Sequence, residues 1–209
     1  MKPSIIYIPA MVLISILSVQ CNQSQSGQNK TSEDTASMAN NNYGGFSSQV
    51  EWGKHLVAMG GCGDCHTPKK MTAQGPVPDS SMFLAGHPSQ IPPPQINRKE
   101  IESKGLVLTN DLSVWIGPWG ISYTANLTPD TTGIGNWSEE QFIRAIREGK
   151  WMGLEGSRQL LPPMSFVAEN MNAAASDDEL KAIFAYLRSI KPVHNLTPAP
   201  VSPILAVTH

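Results

Sequence analysis

Three stretches of the chain place apolar residues at the spacing of an amphipathic helix. The first begins after Ser47 or Ser48, either of which can cap a helix, and continues to about Met59. Gly53 leaves room on the apolar face for close approach by another helix, and Gly60-Gly61 ends the stretch. The residues of this face are Val50, Gly53, Leu56 and Val57.

The second helix begins at a capping box. Ser138 is its N-cap and Gln141 stands three residues later, so the two side chains can each bond the other's backbone amide. Gly149 is expected to end it. Its buried face is expected to consist of Phe142, Ile143 and Ile146.

The last helix shows the same start signal. Ser176 and Glu179 form its capping box, and acidic residues fill its first turn. Pro192 ends it, and we expect the helix to cross the first one near Gly53. Its apolar stripe comprises Leu180, Ile183, Phe184, Leu187 and Ile190.

Periodicity mostly fails between residues 67 and 136, where prolines are frequent. An irregular stretch of this length is unusual unless it wraps around something that it can bury. Residues 106–109 and 116–123 alternate well enough to predict one small β-hairpin. The pattern therefore predicts a domain at residues 46–196 in which helices are separated by long irregular loops.

The N-terminal part has a different pattern. Residues 5–19 form an apolar run behind Lys2, which is typical of a secretory leader at residues 1–20. A membrane anchor is the alternative, but the run is short and Pro9 interrupts it. Cys21 follows the run, as at a bacterial lipoprotein cleavage site, although Leu17 and Gln20 match that pattern imperfectly. We expect a lipid on Cys21 that attaches the protein to a membrane.

Polar residues dominate the stretch after Cys21. Residues 21–45 are rich in Ser, Asn, Gln and Thr and contain too few apolar residues to form a core. We interpret them as a disordered tether between the lipid and the domain. Residues 197–209 are proline-rich, and we expect a loose tail there.

Composition adds two constraints. The 209 residues carry a formal net charge of −2, which argues against a nucleic-acid partner because such proteins show a basic stripe. The chain has 17 glycines and 17 prolines but only 15% charged residues. This composition suggests a loop-rich fold in which a prosthetic group replaces part of the core.

The candidate chemistry lies directly after the first helix, in Cys62-Gly63-Asp64-Cys65-His66. Cys-x-x-Cys-His is the attachment signature of a c-type haem. Two thiols on one turn can each add to a vinyl group of the same porphyrin, and the adjacent histidine can ligate the iron. The alternatives are a zinc site, which needs two more ligands, and a redox dithiol, which should accompany a βαβ pattern. Neither requirement is met in the sequence.

A second protein ligand would complete the coordination of the iron. Methionine suits this role and raises the potential. We favour Met164, which follows Pro162-Pro163 on an expected rigid turn between the second and last helices. Met171 is the next candidate, ahead of Met152. His87 and His194 are expected in loops as surface or capping residues.

These features together resemble class I c-type cytochromes. Residues 117–130 and 133–137, which include Ala125-Asn126-Leu127-Thr128-Pro129-Asp130, are similar to segments in the cytochrome c subunits of bacterial alcohol and aldehyde dehydrogenases. Those subunits usually carry several CxxCH motifs, whereas this chain has one. The resemblance implies an all-α cytochrome c-like fold around one haem c. It also implies thioethers at Cys62 and Cys65, with His66 as the proximal ligand and Met164 as the distal ligand.

The expected function is outer-sphere electron transfer by an exported, lipid-tethered monohaem protein that is not itself an enzyme. Its partners would be redox donor and acceptor proteins, such as a dehydrogenase or an oxidase. Export agrees with the motif, since the cytochromes it resembles receive their haem outside the cytoplasm. The rival functions are a haem peroxidase or small-molecule reductase and a gas-sensing haem domain. Both need an open or labile sixth position at the iron.

Overall fold

The computed structural model describes residues 43–204. The predicted leader at residues 1–20, the predicted lipidation site Cys21, the predicted tether up to residue 42 and the last five residues lie outside the described part. The described chain folds into six α-helices, two short 3-10 turns and two hairpins. In chain order these are α1 (Gln49–Met59), α2 (Cys62–His66), β1 (Lys69–Thr72), β2 (Gly75–Pro78), a 3-10 turn (Ser80–Met82), α3 (Arg98–Ser103), β3 (Val114–Gly117), β4 (Gly120–Tyr123), α4 (Glu139–Arg147), a 3-10 turn (Trp151–Gly153), α5 (Met164–Ala174) and α6 (Asp177–Ser189).

Helices α1 and α6 pack face to face at the centre of the fold. Gly53 makes this possible, because a β-carbon at that position would lie 1.8 Å from the carbonyl oxygen of Ala182. The predicted crossing near Gly53 is therefore confirmed. The buried core around this crossing comprises Val57, Leu84, Ile134, Phe142, Ile146, Leu180, Ile183, Phe184 and Leu187.

The three predicted helix starts are confirmed. The side chain of Ser48 accepts a hydrogen bond from the amide of Glu51 at the start of α1. Ser138 and Ser176 cap α4 and α6, and both capping boxes are complete. Each cap satisfies amides that the helix itself leaves without a partner.

The irregular stretch contains two hairpins, β1 with β2 and β3 with β4, and neither has the strands of the one that was expected. Strands β3 and β4 pair with each other from Val114↔Tyr123 to Gly117↔Gly120, so the two strands are neighbours in sequence. Leu108 joins them only through an isolated bridge to Ile116. The reason is the tight turn at residues 118–119, which divides the apolar run at residues 114–123 into two strands.

The chain after α6 is more ordered than expected. Val201 pairs with Ile121 of β4, and the amide of Ile204 donates to Oε2 of Glu102 at 2.6 Å. Arg98 also donates to the carbonyl of Ser202 at 2.8 Å. The expectation of a loose tail is therefore not met at residues 201–204, since backbone pairing and a buried carboxylate hold them.

Within residues 43–204, no helix has the length and apolar character needed to cross a membrane.

Candidate haem-binding site

The Cys-x-x-Cys-His motif forms a single short helix. Gly61 precedes α2 with φ 63°, a left-handed conformation that strongly favours glycine. This residue turns the chain sharply between α1 and α2. The turn of α2 then places Cys62 and Cys65 on neighbouring positions of one helical face.

Both cysteines carry free thiols and are partly exposed. Burial is the main cause that raises the pKa of each thiol above its ordinary value. Neutral thiols are therefore favoured at pH 7. An S–H bond that adds across a vinyl group gives a thioether without any other reactant, so this pair fits covalent haem attachment.

His66 is the buried end of the motif, with 8% of its surface exposed. Its Nδ1 lies 2.7 Å from the carbonyl oxygen of Ala125. Since a carbonyl oxygen can only accept, Nδ1 carries the proton, and Nε2 keeps the lone pair that a metal requires. Burial lowers the pKa of His66, which further favours the neutral ligating form.

The surroundings also fit a haem. Nε1 of Trp137 is buried and has no hydrogen-bond partner in the described part of the chain. An indole N–H donates only, and leaving it unpaired is costly. The carboxylate groups of a haem are acceptors of the kind that this donor lacks. Cys62 and Trp137 both border the helical core.

Gly86 brings the acceptor of the histidine into place. Its amide donates to the carbonyl of His66 at 2.7 Å. A β-carbon on Gly86 would lie 2.5 Å from the carbonyl oxygen of Thr124 and 2.7 Å from that of Ala125. The segment that carries Ala125 can therefore approach His66 only because residue 86 is glycine.

Two buried asparagines fix these segments. Nδ2 of Asn195 donates to the carbonyls of Ala85 at 2.7 Å and His87 at 2.9 Å. Nδ2 of Asn126 donates to the carbonyl of Val193 at 2.8 Å. The chain after α6 thus holds both the turn around Gly86 and the residue next to Ala125. The sequence does not indicate these supports, because most of their partners are backbone atoms.

The candidate distal ligands lie in different settings. The sequence predicted a turn at Met164, and this is wrong, since Met164 is the first residue of α5. The prolines before it join in a cis peptide bond. Met164 and Met171 both pack against the helical core, whereas Met152 is 38% exposed.

The two histidines considered as alternatives also differ. His194 is exposed and lies 3.3 Å from Oδ1 of Asp130. His87 was expected to be a surface or capping residue, and this is wrong, since only 1% of it is exposed. Its ring nitrogens lie 2.8 Å from Oγ of Ser113 and 2.9 Å from the carbonyl oxygen of Ile91. Both nitrogens have partners, so the ring can be buried without an unpaired polar atom.

The protein is in the class of small haem proteins with a covalent attachment site. Its helical fold, its neutral buried histidine and its paired thiols all fit that class. The chain matches the cytochrome c family over residues 50–191, more than half of its length. The protein belongs to the cytochrome c family, and its cofactor is a covalently bound haem c. Cys62, Cys65 and His66 fit the attachment motif.

Several curated proteins are similar to parts of the chain. A nicotinate dehydrogenase subunit from Pseudomonas putida is 29% identical over 73% of this chain. The cytochrome subunit of fructose dehydrogenase from Gluconobacter japonicus is 39% identical over 39% of it. The cytochrome c subunit of gluconate 2-dehydrogenase from Pantoea cypripedii is 37% identical over 36%. The matched regions span only 9%, 16% and 16% of these relatives. Because cytochrome subunits of dehydrogenases carry electrons, the similarity to two of them indicates that this chain takes part in electron transfer.

Proposed function

We propose that this protein is a monohaem electron carrier whose iron is ligated by His66 and Met164. The observation that carries the proposal is the buried His66, whose Nδ1 donates to Ala125 beside two free thiols. A bound haem supplies a one-electron Fe(III)/Fe(II) couple. The protein holds the neutral imidazole in one orientation, so the proximal ligand is the same in both oxidation states.

Three features support Met164 as the distal ligand. It borders the same core cluster as Cys62. The prolines before it restrict its backbone, and the carbonyl of Pro162 accepts a hydrogen bond from Ser122 at 2.6 Å. A thioether is a weak ligand, so it needs a well-held segment to stay at the iron. Met171 also borders the core, but it lies in the interior of α5.

A spectrum of the oxidised holoprotein tests this ligation. Thioether sulfur on ferric haem gives a weak charge-transfer band in the far red, which histidine or water does not. Met164→Ala is expected to lose the band and to lower the potential, because the ligand that favours ferrous iron is gone. The variant is also expected to gain CO binding.

Met171→Ala is the matched control and is expected to keep the band and the potential. Unchanged spectra in Met164→Ala would show that the ligand is a different residue. A wild type that binds CO readily and turns over peroxide would instead favour the enzyme or gas-sensor function.

The partner that we propose is a dehydrogenase. Two of the relatives described above are named as cytochrome subunits of dehydrogenases, and an electron carrier needs a protein that reduces it. Mixing the ferric protein with a reduced dehydrogenase should reduce its haem faster than the dehydrogenase's substrate alone does. Equal rates would speak against such a partner.

We further propose that residues 1–20 are a cleaved leader and that a lipid on Cys21 anchors the domain at 46–196 through the tether at 21–45. The exported protein would then act on the periplasmic side or elsewhere in the cell envelope. Cys21→Ser should release the protein from membranes or block its processing. A mature N-terminus elsewhere, without lipid by mass spectrometry, would contradict the anchor.

A further inference from the structure

The hydroxyl of Ser122 connects strand β4 to the segment before Met164. Ser122 is 8% exposed, and its Oγ lies 2.6 Å from the carbonyl oxygen of Pro162, 40 residues further along the chain. Nε1 of Trp119 donates to the same Oγ at 3.1 Å. Since the indole can only donate, the single hydroxyl proton is free to point at Pro162. The hydrogen bonds thus run from Trp119 through Ser122 to Pro162.

The hairpin itself does not need this hydroxyl. Ser122 is paired with Trp115 in the register of β3 and β4, and that pairing uses backbone atoms. The side chain bonds outward, to a different part of the fold. Its hydroxyl therefore serves the segment at Pro162 and not the hairpin.

The same stretch of chain reaches the other side of the site. Ala125, three residues after Ser122, accepts the hydrogen bond from Nδ1 of His66. Three residues of chain span at most about 10 Å. One short stretch thus holds the proximal histidine through a backbone carbonyl and the segment of Met164 through a side chain.

We infer that Ser122, oriented by Trp119, is a positioning residue that keeps Met164 at the haem iron. The inference rests on the proposed function, in which Met164 is the distal ligand. A methionine bond to haem iron is weak, so movement of the segment at Pro162 and the start of α5 can break it. Without the hydrogen bond to Pro162, Met164 leaves the iron more often, and small ligands enter the sixth position more easily.

The test is a titration of the ferric holoprotein with imidazole, which displaces a weak distal ligand. Loss of one buried hydrogen bond corresponds to a roughly five- to tenfold change in an equilibrium. Ser122→Ala should therefore bind imidazole about five- to tenfold more tightly and show a weaker far-red band. Ser122→Thr keeps a hydroxyl and should restore both properties. Trp119→Phe removes only the upstream N–H and should give a smaller increase in affinity.

Thr124→Val is the matched control. Thr124 is on the same stretch, equally buried, and its hydroxyl donates to the carbonyl of Ser113 at 3.2 Å. This variant loses a comparable hydrogen bond without touching the segment of Met164. It should leave the imidazole affinity of the wild type unchanged.

The outcomes separate the two proposals. If Ser122→Ala changes the imidazole affinity no more than Thr124→Val does, the positioning role is wrong while the electron-carrier function stands. Failure of Ser122→Thr to restore the affinity would overturn the role as well. If Met164→Ala retains the far-red band, the ligation itself is wrong, and the role of Ser122 falls with it. If Ser122→Ala does not fold, the imidazole titration of Trp119→Phe takes its place. An imidazole affinity equal to that of the wild type in Trp119→Phe would then overturn the positioning role of Ser122.

Discussion

Gly86 lies directly against the peptide group of Ala125. A β-carbon on Gly86 would lie 2.6 Å from the carbonyl carbon of Ala125 and 2.7 Å from its oxygen. That oxygen is the acceptor for Nδ1 of His66. The absence of a side chain at residue 86 is thus linked to the basicity of the proximal ligand, since a hydrogen bond at Nδ1 makes the imidazole a stronger donor to the metal.

Gly86→Ala is expected to displace the Ala125 carbonyl and to raise the redox potential, because a less basic imidazole stabilises ferric iron less. Overpacking should destabilise the fold by about 1–3 kcal/mol, in addition to about 1–2 kcal/mol for a side chain at its φ of 76°. Voltammetry and denaturant unfolding measure the two effects.

Gly105→Ala is the control for the backbone effect alone. Gly105 has φ 66°, but a β-carbon there would meet no atom within 4 Å. The free energy of unfolding of Gly105→Ala should fall by only about 1–2 kcal/mol, and its redox potential should equal that of the wild type. Equal potentials in Gly86→Ala and Gly105→Ala would contradict the proposed link.

Asn195→Ala is expected to destabilise the protein by about 2–4 kcal/mol, because the buried carbonyls of Ala85 and His87 would lose a donor. Asn172→Ala, at an exposed position of α5, should change stability by less than about 0.5 kcal/mol. Chemical denaturation of the holoproteins measures both. A small effect at Asn195 would mean that the turn around Gly86 is held by other contacts.

Gly53→Ala should destabilise the crossing of α1 and α6 by about 3 kcal/mol or more, because the β-carbon would collide with backbone at Ala182. Gly156→Ala provides the comparison, since a β-carbon there meets nothing within 4 Å. We expect a clear drop in the denaturation midpoint for the first variant and little change for the second. Similar midpoints would mean that the helices can move apart at little cost.

Asp130 should make the stability of the fold decrease at acidic pH. Its carboxylate accepts hydrogen bonds from Oγ1 of Thr132 at 2.6 Å and from the amide of Thr132 at 2.8 Å, and these bonds lower its pKa. A group with a lowered pKa stabilises the fold fully above its unfolded-state value of about 3.9. That contribution disappears as the pH falls through the lower folded-state value.

Asp130→Asn keeps an acceptor oxygen but cannot titrate. Its stability deficit relative to the wild type should therefore be largest above pH ~4 and shrink below it. Urea unfolding across a pH series measures this deficit. A deficit that stays constant with pH would rule out the ionised carboxylate as the cause.

The sequence predicted α1, α4 and α6 because their signals are local, whereas α3 lies in the stretch that shows no helical periodicity. Ser138 with Gln141 and Ser176 with Glu179 act within one turn, and Gly53 interrupts an otherwise apolar face. The attachment motif is equally local, since all three of its chemical groups lie in one helix of five residues.

The supports of the site could not be predicted in the same way. The acceptor of His66 is a backbone carbonyl 59 residues away, and every residue has such a carbonyl. The partners of Asn195 are also carbonyls, more than 100 residues distant. The burial of His87 depends on Ser113 and Ile91, and a loop sequence does not show which residues will meet in space.

The distance along the chain between His66 and its supports has a consequence for biosynthesis. A ribosome makes the attachment turn early, Ala125 considerably later and Asn195 near the end of the domain. A chain stopped before residue 125 contains both thiols and the histidine of the attachment motif, but not the acceptor that orients the imidazole. Covalent haem attachment thus requires the motif to have been synthesised. A redox potential equal to that of the wild type requires the whole domain to have been synthesised and folded.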